Sequence, residues 1–307
     1  MTDQILHLLC AEEQVQVCAI SAKELVSEAK EIHELSRVAT AAFGRQLMMT
    51  SMMGSRLKNE EDRVSTIIKG EGGYAGTMIC TAFPDGAVKG CVNNPKVELP
   101  PCEKTGKLDV AGYVGHTGKL TVVRDMGQGD PYVGVCNLIS GEIAEDFAEY
   151  YTASEQQPSL VYLGVRVDAG TGAVRSAAGL LIQPLPGCDG EIVDKLVGYS
   201  EEIAKLSLRL DGGEELREAV ETILRDLSPK TVLEMSPEYR CDCSRERIEA
   251  ALVSVGREEL EDMIRKDGGA EVKCHFCNKV YRFTEKELKE LLLSAARMAD
   301  NSDEEQE

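Results

Sequence analysis

Tryptophan is absent from this chain of 307 residues, and aromatic residues together make up only 5% of it. Hydrophobic residues nevertheless account for 43% of the chain, so a folded core is expected, built mainly from aliphatic side chains. The length is sufficient for more than one domain and for one sizeable core.

Long apolar runs are also missing from the sequence. No stretch of 18 or more apolar residues occurs, so no transmembrane helix and no membrane partner are predicted. The N-terminus lacks the basic segment and apolar stretch of a secretory signal. Eleven cysteines in a chain without such a signal indicate a reducing compartment, where thiols serve metals or chemistry. We therefore expect a cytoplasmic protein.

Positive charge is in short supply, because 34 Lys and Arg residues face 53 Asp and Glu residues and the formal net charge is −19. Binding to phosphates needs a basic surface, so this charge argues against a nucleic-acid partner. Acidity of this kind favours solubility, and it also suits a protein that exposes apolar surface part of the time. Residues 298–307, with five acids after position 299, are predicted to form a disordered acidic tail.

The strongest motif consists of Cys241 and Cys243, written Cys-Asp-Cys, and Cys274 and Cys277, written Cys-His-Phe-Cys. Two close pairs separated by a 30-residue insert can place four thiolates around one tetrahedral Zn²⁺. The first pair has only one residue between its cysteines, which is unusual for a purely structural site. Such a pair can also close into a strained, labile disulfide. The motif thus predicts one zinc ion per chain, at a site that can double as a redox switch.

Two other interpretations stay open on spacing alone: a constitutive structural zinc ribbon, and a thioredoxin-like centre at Cys274 and Cys277. The second is disfavoured because no βαβ pattern places this pair at a helix N-terminus. His275 could replace a ligand, but with four cysteines available we expect it to be a solvated neighbour. The other seven cysteines lie mostly in strand-like runs and are expected to act as small buried hydrophobes.

No motif for nucleotide chemistry or for a catalytic triad is complete. Residues 70–75 loosely match a dinucleotide fingerprint, but a strand-like segment follows them where a helix is required. Residues 118–119 resemble the end of a P-loop, but Tyr113 and Leu120 stand where a glycine and a Ser or Thr belong. His7, His33 and His116 have no Ser or Cys partner at motif spacing, so no catalytic triad is assigned. We predict that the protein is not an enzyme.

Hydrophobic patterning predicts an α+β protein in four parts. Residues 1–186 are predicted to form a core domain with mixed helices and antiparallel strands. Residues 187–230 are predicted to be a helical linker, and 231–297 a small zinc-binding module, followed by the acidic tail. Within these parts we predict helices over 22–58 (interrupted near Gly44), 141–153, 244–255 and 257–264, and a last helix that starts at Thr284, with Glu287 completing a capping box. We predict strands over 14–21, 63–69, 74–82, 87–93, 120–124, 159–167, 173–182, 271–273 and 279–283.

The linker carries the pattern of two amphipathic helices, at 190–210 and 214–227. Apolar residues recur at spacings of 4, 3, 4, 3 and 4, and again at 4, 3 and 4 after an Asp-Gly-Gly break. Because short helices are marginal in water, this apolar stripe must pack against the core domain or against a second chain. The apolar stripe consists of Ile192, Leu196, Tyr199, Ile203, Leu206, Leu210, Leu216, Val220, Ile223 and Leu227.

Over nearly its whole length the sequence resembles the redox-regulated 33-kDa heat-shock chaperone family, a family of oxidation-activated holdases. In the C-terminal part the resemblance rests on Tyr239-Arg-Cys-Asp-Cys-Ser-Arg-Glu-Arg247, Asp267-Gly-Gly269, Cys274-His-Phe-Cys277 and Tyr281-Arg-Phe283. In the core domain it rests on the segments 69–72, 141–147, 154–159 and 163–165.

The resemblance implies a chaperone that is inactive while its cysteines are reduced and zinc-bound. It further implies that oxidation forms the disulfides Cys241–Cys243 and Cys274–Cys277, releases zinc and exposes the apolar stripe. The implied partners are unfolding client proteins, a second copy of the chain after oxidation, and ATP-dependent foldase chaperones that receive the clients. The resemblance also implies that the core domain, residues 1–186, binds clients and dimerises. The competing interpretations are a zinc-ribbon assembly or nucleic-acid factor, and a thiol oxidoreductase.

Overall fold

The computed structural model describes residues 2–103, 105–127 and 129–293. The chain divides into two compact units, of which the first ends at Arg240 and the second begins at Cys241. Residues 231–240, which patterning assigned to the zinc module, therefore belong to the first unit. The predicted tail at 298–307 and the end of the predicted module, 294–297, lie outside the described residues.

The first unit combines helices with antiparallel strands, as the α+β prediction requires. Its strands are β1 (Gln4–Cys10), β2 (Val15–Ser21), β3 (Arg63–Glu71), β4 (Thr77–Ala82), β5 (Val88–Val92), β6 (Thr117–Asp125), β7 (Tyr132–Asn137), β8 (Leu160–Val167), β9 (Val174–Pro184) and β10 (Lys230–Met235). Its helices are α1 (Lys23–His33), α2 (Arg37–Gly54), α3 (Val110–Val114), α4 (Ala144–Ala153), α5 (Gly190–Gly198), α6 (Ser200–Ile203), α7 (Leu206–Asp211) and α8 (Leu216–Ile223), with a 3₁₀ turn at Arg225–Leu227.

The strands form two five-stranded antiparallel sheets. Sheet A has the order β10-β1-β2-β9-β8, and sheet B has the order β5-β4-β3-β6-β7. Helix α2 contacts strands of both sheets, and nearly all of its side chains are buried between them. Its polar side chains bond to neighbouring strands within the core: Gln46 Nε2 donates to Thr66 O at 3.1 Å and to Thr66 Oγ1 at 3.0 Å. The core of the first unit is therefore centred on α2.

The predicted break near Gly44 is wrong, because this glycine lies inside α2. A Cβ added there would lie 2.9 Å from Val26 Cγ1, so the residue serves the close approach of α1 to α2. The chain breaks instead at Glu34, which has a left-handed φ of 52°, and Ser36 caps α2 by accepting from Ala39 N at 3.1 Å.

The linker is helical, but its helices are shorter than predicted. The segment 190–210 contains α5, α6 and the greater part of α7, and the segment 214–227 contains α8 and the 3₁₀ turn. Eight of the ten residues of the apolar stripe are buried, whereas Ile192 and Tyr199 are half-buried. They pack on the face of sheet A opposite α2, together with side chains such as Leu6, Val17 and Leu180. The packing partner of the stripe is thus the first unit itself.

The end of the first unit is attached to both sheets. Strand β10 follows the linker and pairs with β1 of sheet A. Beyond it, Val88 N of sheet B donates to Glu238 O at 2.9 Å, and Arg240 N donates to Val88 O at 3.0 Å. The Tyr239 hydroxyl donates to Gly90 O at 2.7 Å. The chain is therefore held on the first unit up to the residue before Cys241.

Among the described residues, no helix combines the length and the apolar character that crossing a membrane requires.

Candidate metal centre

The second unit is a small module whose elements follow the predicted order. It contains α9 (Arg245–Val255), α10 (Arg257–Asp267), β11 (Gly269–Lys273), β12 (Val280–Thr284) and α11 (285–293). Strands β11 and β12 form an antiparallel hairpin. The buried core is small and consists mainly of Leu252, Leu260, Cys274, Tyr281, Phe283 and Leu288.

Local capping explains where the helices of the module begin. Ser244 Oγ accepts from Arg247 N at 3.2 Å and so caps the N-terminus of α9. The helix therefore begins at Arg245, two residues after Cys243. Thr284 and Glu287 form the predicted capping box, with Thr284 N donating to Glu287 Oε2 at 2.8 Å and Glu287 N to Thr284 Oγ1 at 3.3 Å. The predicted helix starts at both positions are confirmed.

The fold brings the four predicted cysteines together. Cys241 and Cys243 precede α9, while Cys274 and Cys277 lie in the turn between β11 and β12. The four Sγ atoms all lie within 4.8 Å of one another. The Sγ atoms of Cys241 and Cys274 are 3.7 Å apart, and those of Cys243 and Cys277 are 3.4 Å apart.

These distances suit one zinc ion. Zn–S bonds of about 2.3 Å in a tetrahedron put neighbouring sulfurs about 3.8 Å apart. Four thiolates are also the donor set that structural zinc prefers. The turn that carries the second pair is closed by Cys274 N, which donates to Lys279 O at 2.9 Å. The residues present therefore fit Zn²⁺.

Tyr281 is a neighbour of this cluster to which patterning assigned no role. Its hydroxyl donates to Cys243 Sγ at 3.1 Å and to Cys243 O at 3.2 Å, and its ring is buried in the module core. The only signal in the sequence was its place in the Tyr-Arg-Phe segment after the second cysteine pair. Outer partners of this kind orient metal ligands and tune their basicity.

The thiols of the cluster differ in their electrostatics. Burial raises the pKa of Cys277 to about 11. Burial also acts to raise the pKa of Cys243, but the hydrogen bonds from Tyr281 and from the neighbouring thiols outweigh it, so this pKa lies below its usual value. In the metal-free protein, Cys243 is therefore favoured over Cys277 as a thiolate.

Other candidate ligands do not join the cluster among the described residues. His275 is exposed and is not part of the group of four sulfurs. Of the seven remaining cysteines, Cys10, Cys18, Cys80 and Cys136 are buried, as expected for small hydrophobes, whereas Cys91, Cys102 and Cys188 are half-buried.

The chain thus combines an α+β unit built on two antiparallel sheets with a small separate module whose four converging thiols could hold a metal ion. The family model described as "Hsp33 protein" matches residues 3–284. The chain therefore belongs to the Hsp33 family of chaperones.

Individual relatives agree with this assignment. The chain is 42% identical over 292 residues to the 33 kDa chaperonin of Clostridium perfringens (strain SM101), which covers 95% of this chain and 92% of the relative. It is 41% identical over 292 residues to the 33 kDa chaperonin of Clostridium botulinum (strain Langeland), covering 95% and 98%. The crystal structure of the 33 kDa chaperonin from Thermotoga maritima superimposes with a TM-score of 0.83 at 36% identity, covering 97% of this chain and all of that one.

Replacing Tyr281 with phenylalanine is expected to weaken zinc binding about tenfold, because the thiolate of Cys243 loses its hydrogen-bond donor while the ring keeps its packing. Competition with a chromogenic chelator measures the change. Tyr132→Phe, in an exposed part of β7, is the matched control and should leave the competition curve unchanged. Superimposable curves for the wild-type chain and Tyr281→Phe would show that this hydroxyl does not support the site.

Proposed function

We propose that this chain is a redox-regulated holdase, inactive while its four cysteines are reduced and zinc-bound, which binds unfolding proteins after oxidation. The observation that carries the proposal is the packing of the apolar stripe. An extended apolar surface lies beneath helices of four to nine residues, in a chain whose family is a chaperone family. Such a surface can be exposed without unfolding the core around α2.

The chemistry of the switch belongs to Cys241, Cys243, Cys274 and Cys277. Bound Zn²⁺ would hold the four thiolates together and supply ~10–16 kcal/mol of apparent folding free energy to the module. Each pair of thiolates that becomes a disulfide passes two electrons to one peroxide molecule. The O–O bond breaks, and with two protons the oxygens leave as two waters. We take the pairs to be Cys241–Cys243 and Cys274–Cys277, as the family resemblance implies.

Cysteines joined in disulfides no longer provide thiolates, so after oxidation the module has no metal ligands. The buried core of the module is small, and domains of this size seldom fold without a metal or a permanent disulfide framework. We therefore expect the described part of the module, 241–293, to unfold once both disulfides have formed and zinc has left.

Unfolding of the module reaches the linker through the chain itself. Residues 228–240 connect α8 and its 3₁₀ turn to Cys241, and β10 and Tyr239 hold them on the two sheets. A chain end frays unless something ties it down. While the module is folded, residues 228–240 have a folded part of the chain on both sides. After the module unfolds, one end of this segment is followed by a disordered chain. Fraying then lowers the free energy needed to detach β10 and the linker behind it.

Detached linker helices do not persist. All are shorter than the ~12–15 residues that an isolated helix needs in water, so their structure depends on packing against sheet A. Detachment exposes the apolar stripe and the face of sheet A beneath it. Clients bind to this exposed surface passively, without nucleotide chemistry. The protein is cytoplasmic in this proposal and forms a homodimer when oxidised. Clients then pass to ATP-dependent foldase chaperones, as the family resemblance implies.

The test is a titration with hydrogen peroxide in which zinc release and suppression of a client's thermal aggregation are measured together. We expect one zinc per chain to leave and protection to rise in parallel, while amides of the linker lose protection from hydrogen exchange. Zinc that stays bound, or zinc release without protection of the client, contradicts the proposal.

The control in this titration separates the four clustered cysteines from the half-buried ones in the first unit. A variant with Cys91→Ser, Cys102→Ser and Cys188→Ser should respond to peroxide like the wild-type chain. A lost response in this variant would place the redox switch in the first unit.

A further inference from the structure

Strand β8 forms an open edge of sheet A. It pairs with β9 on one side, and within the described part of the chain no strand pairs with its other side. An edge strand presents a row of backbone N–H and C=O groups that can take up another strand. The eight residues of β8 extend roughly 26 Å at about 3.3 Å per residue. This edge is long enough to pair with a short extended peptide.

A groove of about 750 Å³ runs along this edge. Residues 162–169, most of them from β8, line its floor. Helix α2 packs on one face of β8 and α7 on the other, and each contributes a wall, the first through Arg37 and Arg45 and the second through Leu208. While the linker is docked, the open edge therefore lies in a groove between two helices, and detachment of the linker removes the wall that α7 supplies.

The groove is rich in cations, although the chain as a whole carries a net charge of −19. Its lining contains one carboxylate, that of Asp168, which is engaged in its own turn with Gly170 and Thr171. Three cations of the lining, Arg37, Arg45 and Lys205, form ion pairs with Glu98, Glu142 and Glu202 outside it. The others are Lys107, Arg166 and Arg175.

Two of these cations share a single carboxylate of the linker. Arg166 Nε donates to Asp211 Oδ2 at 3.0 Å, and Arg175 Nε donates to Asp211 Oδ1 at 2.9 Å. The terminal nitrogens of both guanidinium groups make no hydrogen bond to the described residues, and their side chains are 41% and 52% exposed. Asp211 ends α7, so detachment of the linker removes the one carboxylate that both arginines hold.

We propose that, after the linker detaches and α7 leaves with it, the open edge of β8, still flanked by α2, binds an extended client segment that adds as a strand to sheet A and places a carboxylate on Arg166 and Arg175. Asp211 then acts as the internal competitor of that carboxylate. The inference rests on the proposed function, because the segment belongs to an unfolding client, and it names the class of segment preferred: extended and acidic. Bidentate pairing of guanidinium with carboxylate supplies the recognition.

The experiment measures peptide binding to the oxidised, zinc-released full-length chain by fluorescence anisotropy. The probe is a fluorescein-labelled heptapeptide of alternating Val and Thr with a central Asp. Two further probes carry Asn in place of Asp, or N-methyl groups on alternate amides. We expect the Asp peptide to bind about tenfold more tightly than the Asn peptide, and the N-methylated peptide to lose binding because it cannot complete a strand ladder.

Variants locate the site. The pair Arg166→Gln with Arg175→Gln should abolish the tenfold preference for Asp, whereas Arg257→Gln with Arg265→Gln, which removes the same charge from exposed positions of α10, should retain it. Equal affinities of the oxidised wild-type chain for the Asp and Asn peptides would overturn the inference. Unchanged binding of the N-methylated peptide would overturn the strand addition.

A reduced variant separates this inference from the proposed function. Asp211→Ala removes the competing carboxylate without any oxidation, so reduced protein with this change should bind the Asp peptide about tenfold more tightly than the Asn peptide. If oxidation fails to produce aggregation suppression but this preference is present, the holdase proposal fails and the site stands. If aggregation is suppressed but neither form discriminates between the peptides, the site fails and the holdase stands.

Discussion

Replacing Cys274 with alanine is expected to leave the chain without stoichiometric zinc and to unfold the described part of the module. Cys274 is the most buried of the four cysteines, with 8% of its surface exposed, and it belongs both to the sulfur cluster and to the module core. Structural zinc supplies ~10–16 kcal/mol of apparent folding free energy to small modules. With three cysteine ligands left, zinc would supply only part of this folding free energy, and the small hydrophobic core of the module cannot supply the rest.

Metal analysis and hydrogen exchange together check this expectation. Zinc content should fall well below one per chain, and amides of the β11–β12 hairpin should exchange as in an unfolded chain, while those of sheet B stay protected. His275→Ala is the matched control, because it makes the same kind of change at an exposed neighbour outside the cluster. One zinc per chain and a protected hairpin in Cys274→Ala would remove this residue from the ligand set.

The cluster could be predicted from the sequence because zinc coordination is local chemistry. Two short cysteine pairs need only a hairpin turn and a helix start to converge, and both were visible in the residues around Cys243 and Cys274. The partner hydroxyl of Tyr281 was not predicted. Its contact with Cys243 arises from the register of β12 against the first cysteine pair, which spacing does not report.

The linker shows a different limit. Periodicity correctly predicted that the ten apolar side chains of the stripe lie on one packed side of the linker, since eight of the ten are buried. It did not predict the breaks between α5, α6 and α7, because a run of short helical turns can keep the same spacing of three and four residues as one helix. Nor did it decide between the core domain and a second chain as packing partner, since both would bury the same stripe.

Strand β1 was missed for a physical reason. Its sequence, Gln4 to Cys10, is almost continuously apolar, because α2 covers one face of sheet A and the linker covers the other. A strand buried on both faces loses the alternation that marks a half-buried strand. The same two-sided burial means that detachment of the linker turns one apolar face of β1 and β2 toward solvent.

Replacing Val220 with glutamate is expected to give a chaperone that suppresses aggregation without any oxidant. Val220 is fully buried in α8 among the side chains that contact sheet A. The substitution removes a buried apolar side chain worth ~1.5–3 kcal/mol and would place an unpaired carboxylate in an apolar cluster. Helix α8 has only eight residues, so detachment of the linker is the less costly outcome.

Aggregation suppression by the reduced, zinc-loaded variant measures the effect, and hydrogen exchange of the linker shows whether it has detached. Thr222→Glu is the matched control, because threonine has the shape of valine and lies exposed on the same helix. It should behave like the wild-type chain in both measurements. A Val220→Glu chain whose linker exchanges freely but which protects no client would show that the stripe and sheet A are not the client-binding surface. If the linker of Val220→Glu detaches and the variant suppresses client aggregation, release of the linker is sufficient for chaperone activation. The cysteines then act only to trigger that release.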